Sequence, residues 1–206
     1  MSLRQLSPRV AGRLKAVLFA VSLLPFGRLL VGAFTNGLGT NPLELITRST
    51  GTWTLVFLCI TLAVTPARKL CGWPWLARFR RMFGLFAFFY AACHFTTFIW
   101  FDHFFDFAAI WKDVLKRPFV TVGFVALLLL VPLAITSTNG MTRRLGAQRW
   151  QMLHRSVYLI AVLGVVHYWW LVKRDVTQPA LYAVVVAILL GMRLHWRSNT
   201  RKSAIF

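Results

Sequence analysis

Acidic residues are nearly missing from this chain: Asp and Glu together number 5 among 206 residues, against 24 Lys and Arg. None of the five (Glu44, Asp102, Asp106, Asp113, Asp175) lies in a long apolar run. That leaves no membrane carboxylate for a proton relay, and it argues against a proton pump. Cysteine is also scarce, with 3 residues and no C-x-x-C, which excludes a thiol redox motif and C-x-x-C-H haem attachment. Cys59, Cys71 and Cys93 read as small apolar residues. There is no G-x-G-x-x-G between a strand and a helix, and no polar stretch long enough for a soluble nucleotide-binding domain. What fills the chain instead is apolar: 58% hydrophobic residues, 14% charged ones and a mean hydropathy of +0.63. That is a membrane composition.

Six apolar stretches stand out, at about 14–34, 51–66, 82–101, 119–136, 153–172 and 180–196. The N-terminus, the second and fourth gaps and the C-terminus, taken with the span ends that border them (Lys15, Arg155, Arg193), hold seventeen basic residues and no acid. The other three gaps hold all five acids and only six basic residues. Basic loops stay cytoplasmic, so the expectation is an all-α integral membrane bundle of six helices with both termini inside. The same split accounts for the net charge of +19 without nucleic acid. The first stretch follows a basic N-terminus but is long for a signal peptide and carries Pro25 and Arg28, so it reads as a retained helix. Arg28 reads as the one basic residue within a span, close enough to the outer end to snorkel. All nine Trp fall near the expected interfaces.

Two outer loops carry local signals. Asn41-Pro42-Leu43-Glu44 has an N-cap, a proline at the first helical position and an acid four residues before Arg48. A short interfacial helix is expected there. Residues 102–117 alternate aromatics with charges (Phe104, Phe105, Phe107, Trp111) and read similarly, either as a loop anchor or as a docking surface. Pro118 and Pro179 fall where spans begin and Pro66 where one ends; Pro25 and Pro132 lie inside spans and should kink them.

The histidines carry the chemistry. His103 and His195 lie near loops or ends and read as solvated or interfacial. His94 and His167 sit within spans three and five, which run in the same direction. Counting from the inner end of each span at 1.5 Å per residue, they lie within about 3 Å of the same depth. With no acid in the spans to pair with, two imidazoles at matched depth point to bis-histidine ligation of a haem iron. The Phe-rich third span suits a flat apolar ring; Gly123 and Gly164 would either admit the ring or serve helix packing. His154 is about 20 Å of helix from His167 and cannot share that iron. The position on span three that could face it is occupied by Arg80 and Arg81. His154 thus marks a possible second site, a flavin or quinone hydrogen bond, or an interfacial residue. Arg80, Arg81, Arg143, Arg144 and Arg155 could hold a propionate or phosphate nearby, or simply anchor the inner face.

Five stretches carry a family resemblance: NPLELITRSTGTW (41–53), LAVTPARKL (62–70), RRMFGLFAFFYAACHF (80–95), KRPFVTVGFVALLLLVPLAITS (116–137) and RLGAQRWQMLHRSVYLIAVLGVVHYWW (144–170). The chain resembles the MsrQ (YedZ) family, haem-binding membrane subunits of the bacterial periplasmic methionine sulfoxide reductase system. That family is similar to the wider ferric-reductase-like transmembrane cytochromes. The resemblance implies one six-helix domain over 1–206 in the inner membrane, b-type haem, and flavin mononucleotide. It also implies electrons drawn from quinones and passed to a periplasmic molybdenum-cofactor partner, MsrP. His94, His154 and His167 match the family's histidines. Other readings are a related cytochrome with a different acceptor, a His-lined transporter or channel, and a non-redox anchor. The spans offer only scattered Thr and Ser, such as Thr54, Thr61 and Thr121, for a polar path.

Overall fold

The computed structural model describes residues 6–202, with side chains over 6–196. It is all-helical there: α1 Pro8–Phe34, α2 Pro42–Cys71, α3 Arg80–Thr97, α4 Phe107–Lys116, α5 Pro118–Ile135, α6 Asn139–His154, α7 Val157–Leu171 and α8 Thr177–Lys202. A 3₁₀ turn, Pro74–Phe79, leads into α3, and a π turn, Phe98–Asp102, extends it. Five helical segments are long and apolar enough to cross a membrane: Pro8–Phe34, Pro42–Cys71, Pro74–Asp102, Pro118–Ile135 and Thr177–Trp196.

The expected fifth span differs. Its apolar run starts at about 153, but turn residues Arg155 and Ser156 separate α6 from α7, which keeps only 15 residues. Several other expectations are corrected. Asn41 and Glu44 cap α2 itself rather than a separate interfacial helix. The Asn41 side chain accepts from Glu44 N–H at 3.3 Å, and Glu44 pairs with Arg48 at 2.9 Å. Pro66 does not end its helix; α2 runs on to Cys71 and stops at Gly72, whose φ of 67° is the left-handed cap glycine tolerates.

The helix continues past Pro66 because the carbonyl that proline orphans, Leu62 O, receives a substitute donor: Arg193 of α8 at 2.7 Å. A second guanidinium nitrogen of Arg193 donates to the Tyr158 hydroxyl at 2.7 Å. Arg193 therefore lies within a span and turns into the bundle, while Arg28 stays exposed. Beside Pro25 the Tyr90 hydroxyl is inserted into the α1 ladder. It donates to Ser22 O at 2.7 Å and accepts from Phe26 N–H at 3.2 Å. In α5 the Thr136 hydroxyl donates to Pro132 O at 2.6 Å.

The closest helix pairs are α2 with α3 and α5 with α7; α8 packs on α2 and α7. Leu55, Phe57, Leu58 and Leu62 of α2 meet Phe86 and Tyr90 of α3, Leu130 of α5 and Ile160, Ala161 and Val165 of α7. Phe57 and Tyr90 stack at 5.4 Å with planes 9° apart. Trp53, expected at the outer interface, is drawn into this stack. Gly164 faces Leu55, so its role is helix packing: a Cβ there would stand 2.9 Å from the Leu55 side chain.

Candidate functional site

His94 comes from α3 and His167 from α7, and their ring centroids lie 6.1 Å apart with planes at 76°. The two helices are not a packed pair; the imidazoles meet in the seam between α2–α3 and α5–α7. Each ring is held in the same way. His94 Nδ1 is 3.0 Å from the Thr47 carbonyl, and His167 Nδ1 is 2.7 Å from the Phe119 carbonyl. A carbonyl can only accept, so both Nδ1 atoms carry the proton and both Nε2 lone pairs are left for a ligand.

A glycine lies one turn beyond each carbonyl, Gly51 after Thr47 and Gly123 after Phe119. A Cβ on Gly51 would stand 3.1 Å from His94 Cε1; one on Gly123 would stand 2.7 Å from His167 Nδ1. The imidazoles occupy the room those glycines leave, and so reach the backbone. This carbonyl-and-glycine cradle appears on α2 and again on α5. Sequence reasoning picked out Gly123 but missed Gly51 and both carbonyls. The available signal was a glycine on a neighbouring span at the depth of each histidine.

The donor set fits a metal held between two imidazoles. Nitrogens bound at about 2 Å to one metal put their ring centroids about 6 Å apart. Fixing the tautomer through an Nδ1–H bond to a carbonyl is the usual support for such a ligand. Among the described residues no group of three or more His, Cys, Asp and Glu gathers for a protein-only metal cage; His94 and His167 are the residues that could hold a haem iron here, for one-electron chemistry. The surroundings are apolar and aromatic: Phe119 is 6.5 Å from the His167 ring, and Phe95 stacks towards Phe98 and Phe124.

The other histidines stand elsewhere. His154 stacks on Trp150 at 3.9 Å and lies 3.1 Å from the Thr136 hydroxyl. That hydroxyl already spends its proton on Pro132 O, so His154 Nε2 is the donor. Trp150 Nε1–H donates to Thr136 O at 2.9 Å and closes the group. His103, expected to be solvated, is largely covered; it packs on Phe98 and lies 3.3 Å from Asp113, which also meets Arg117 at 3.4 Å. His195 is exposed near the end of α8. Outside the spans, the Thr177 hydroxyl and N–H hold the Asp175 carboxyl below its usual range. Of the arginines expected at the inner face, Arg81 fastens α3 to α6 through Asn139 at 2.5 Å and Thr142 at 3.4 Å. Arg143 and Arg144 line an open concavity of about 560 Å³ with Thr138, Gly140 and Met141.

The family model for "Ferric reductase like transmembrane component" matches residues 50–165, which include His94 and His154. Full-length relatives extend the match through His167. A protein of Herminiimonas arsenicoxydans is 60% identical over 95% of this chain and 90% of its own length. Relatives in Ralstonia nicotianae (52%, covering 93% of this chain and 89% of the relative) and Rhodospirillum rubrum (52%, covering 92% and 91%) are similar. All three are named "Protein-methionine-sulfoxide reductase heme-binding subunit MsrQ".

Proposed function

The chain belongs to the MsrQ family of ferric-reductase-like transmembrane proteins, and on that premise we propose that it is the haem-binding electron-transfer subunit of a methionine sulfoxide reductase system. The observation that carries the reading is the His94–His167 pair: centroids 6.1 Å apart, each Nδ1–H tied to a backbone carbonyl. Those two Nε2 atoms would hold a b-type haem between α3 and α7, and haem held there supplies one-electron transfer. The chain's own part is to fix ring orientation through Thr47 O and Phe119 O, to give the macrocycle an apolar bed, and to keep carboxylates away.

The same pair supports the six-span topology, with α7 as the short fifth span. α3 and α7 each follow an arginine-rich segment, and their histidines meet at one depth, so both helices run outward from the inner face. That parity returns the C-terminus to the side of the N-terminus, the cytoplasmic side of a bacterial inner membrane by the basic-loop rule. The whole of 1–206 then forms one six-helix domain.

Electrons would come from membrane quinones, with flavin mononucleotide as a further cofactor, and would leave on the outer side for a periplasmic molybdenum-cofactor partner, MsrP. Sulfoxide reduction itself belongs to that partner. His154 would serve a second cofactor near the inner face, with the basic inner surface offering partners for a propionate or phosphate. Its Nε2–H bond to Thr136 makes it a hydrogen-bond donor in the arrangement described.

Oxidised and dithionite-reduced visible spectra of the protein purified in mild detergent test the reading. The expected result is a sharp reduced α-band that His94→Ala and His167→Ala each abolish. A pyridine haemochrome assay gives the stoichiometry, and a value above one would assign the second site. A colourless protein from haem-replete cells would overturn the proposal.

A further inference from the structure

α4 divides into three stripes along its length. Ile110 and Val114, four residues apart, are buried against α5 at 8% and 4% exposure. Next to them Phe107, Trp111 and Leu115, again spaced by four, are exposed at 70%, 57% and 66%. Beyond that stripe come Lys112 and Lys116, both exposed. Asp113 on the remaining side is tied to His103 and Arg117.

The turn before α4 adds two more exposed rings. Phe104 and Phe105 adopt φ of 46° and 65°, left-handed backbone that glycine or asparagine would take more easily. Their N–H groups close the π turn onto Trp100 O and Ile99 O. Both rings point outward, with Trp100 6.2 Å from Phe105. In water this segment would combine strained backbone with unburied aromatics, a doubly unfavourable choice.

We propose that α4 and the Phe104–Phe105 turn form an in-plane anchor in the outer leaflet, with the aromatic stripe among the acyl chains and the two lysines at the phosphates. The occupant is the bilayer because the patch continues surface that is already lipid-facing. It starts at Trp100 on the last turn of a helical segment long and apolar enough to span, and ends where α5 begins at Pro118. An aromatic stripe flanked by lysines on a short helix with one protein-facing edge is the pattern of an interfacial helix. The anchor would fix the π turn that extends α3, whose end lies eight residues beyond His94, and leave Asp102 and Asp106 facing water.

Spin labels at Trp111→Cys and Lys112→Cys, each in a Cys71→Ser background, test this in vesicles of phosphatidylethanolamine and phosphatidylglycerol. The label at 111 should show an oxygen-to-nickel-chelate accessibility ratio several-fold above the label at 112. Removing the indole could loosen α4, so Leu115→Cys provides a second reporter on the same stripe and should match 111. Water-like access at either 111 or 115 would overturn the proposal and leave that face open to a protein partner. The labels read depth with or without haem, so failure here is separate from failure of the electron-transfer reading.

Discussion

Gly123→Ala is the sharpest test of how the histidines are held. The added methyl would stand 2.7 Å from His167 Nδ1, 2.8 Å from Cε1 and 3.2 Å from Cγ. Ordinary carbon contacts lie at about 3.5–4.0 Å, so ring and helix must separate by roughly 0.7–1 Å. Neither side is a flexible tip: the imidazole is fixed to α7 and the methyl to α5. The 2.7 Å bond from Nδ1 to Phe119 O then stretches beyond hydrogen-bond range. Its loss costs about 0.5–1.5 kcal/mol, and overpacking of this kind about 1–3 kcal/mol. Every 1.4 kcal/mol is tenfold in affinity, so haem retention should fall by about tenfold or more. At Gly51 the nearest ring atom is 3.1 Å away, so a shift of a few tenths of an ångström suffices and the loss should be smaller. Gly191 has nothing within 4 Å of its Cβ position, and Gly191→Ala should keep wild-type haem content. The assay is haem per protein after detergent exchange, with the low-spin EPR signal of what remains. Ligand planes at 76° should give the strongly anisotropic signal of near-perpendicular imidazoles. Full haem content and an unchanged signal in Gly123→Ala would refute the cradle argument.

Two further perturbations probe the proline repairs. Arg193→Met leaves the Leu62 carbonyl orphaned at Pro66 and should destabilise the fold by about 1–3 kcal/mol. Pro66→Ala restores a backbone donor, so the double variant should recover part of that loss; additive thermal-melt shifts would contradict the pairing. Tyr90→Phe removes the hydroxyl from between Ser22 O and Phe26 N–H and should cost about 1 kcal/mol. The check is a lower melting temperature with an unchanged haem spectrum.

The sequence was legible where one physical rule acts along a single helix. Apolar runs marked the five helical segments that are long and apolar enough to cross a membrane, because lipid demands long uninterrupted apolar segments. The Asn41–Glu44 cap was read correctly because capping is local, but it was attached to the wrong helix. The polar surface turn of α2 continues without a break into the apolar span. The tightening at Arg155–Ser156 was missed because the apolar count runs across it, while Ser156 and Tyr158 N–H bond three residues back rather than four. Matched depth brought His94 and His167 together, since helical rise converts residue number into height.

What stayed hidden depends on pairs far apart in sequence. Pro66 looked like a helix end because proline removes a donor, and only the fold supplies a replacement from a residue 127 positions later, Arg193. The same holds for Tyr90, which is 64 positions from the rung it fills in α1. Each repair sets a polar atom of one helix against a backbone defect in another, so neither partner is anomalous in its own segment. In its own segment nothing sets Arg193 apart from the other basic residues, or Tyr90 from the other rings of α3. The histidine cradles follow the same logic: a glycine means little on α2 or α5 until an imidazole from another helix fills its missing side chain. In this bundle the interactions that hold the proposed ligands and those that mend the prolines are of one kind, a side chain from a neighbouring helix bonded to main-chain polar groups. Membrane interiors favour that arrangement, because no water is present to satisfy an exposed backbone group.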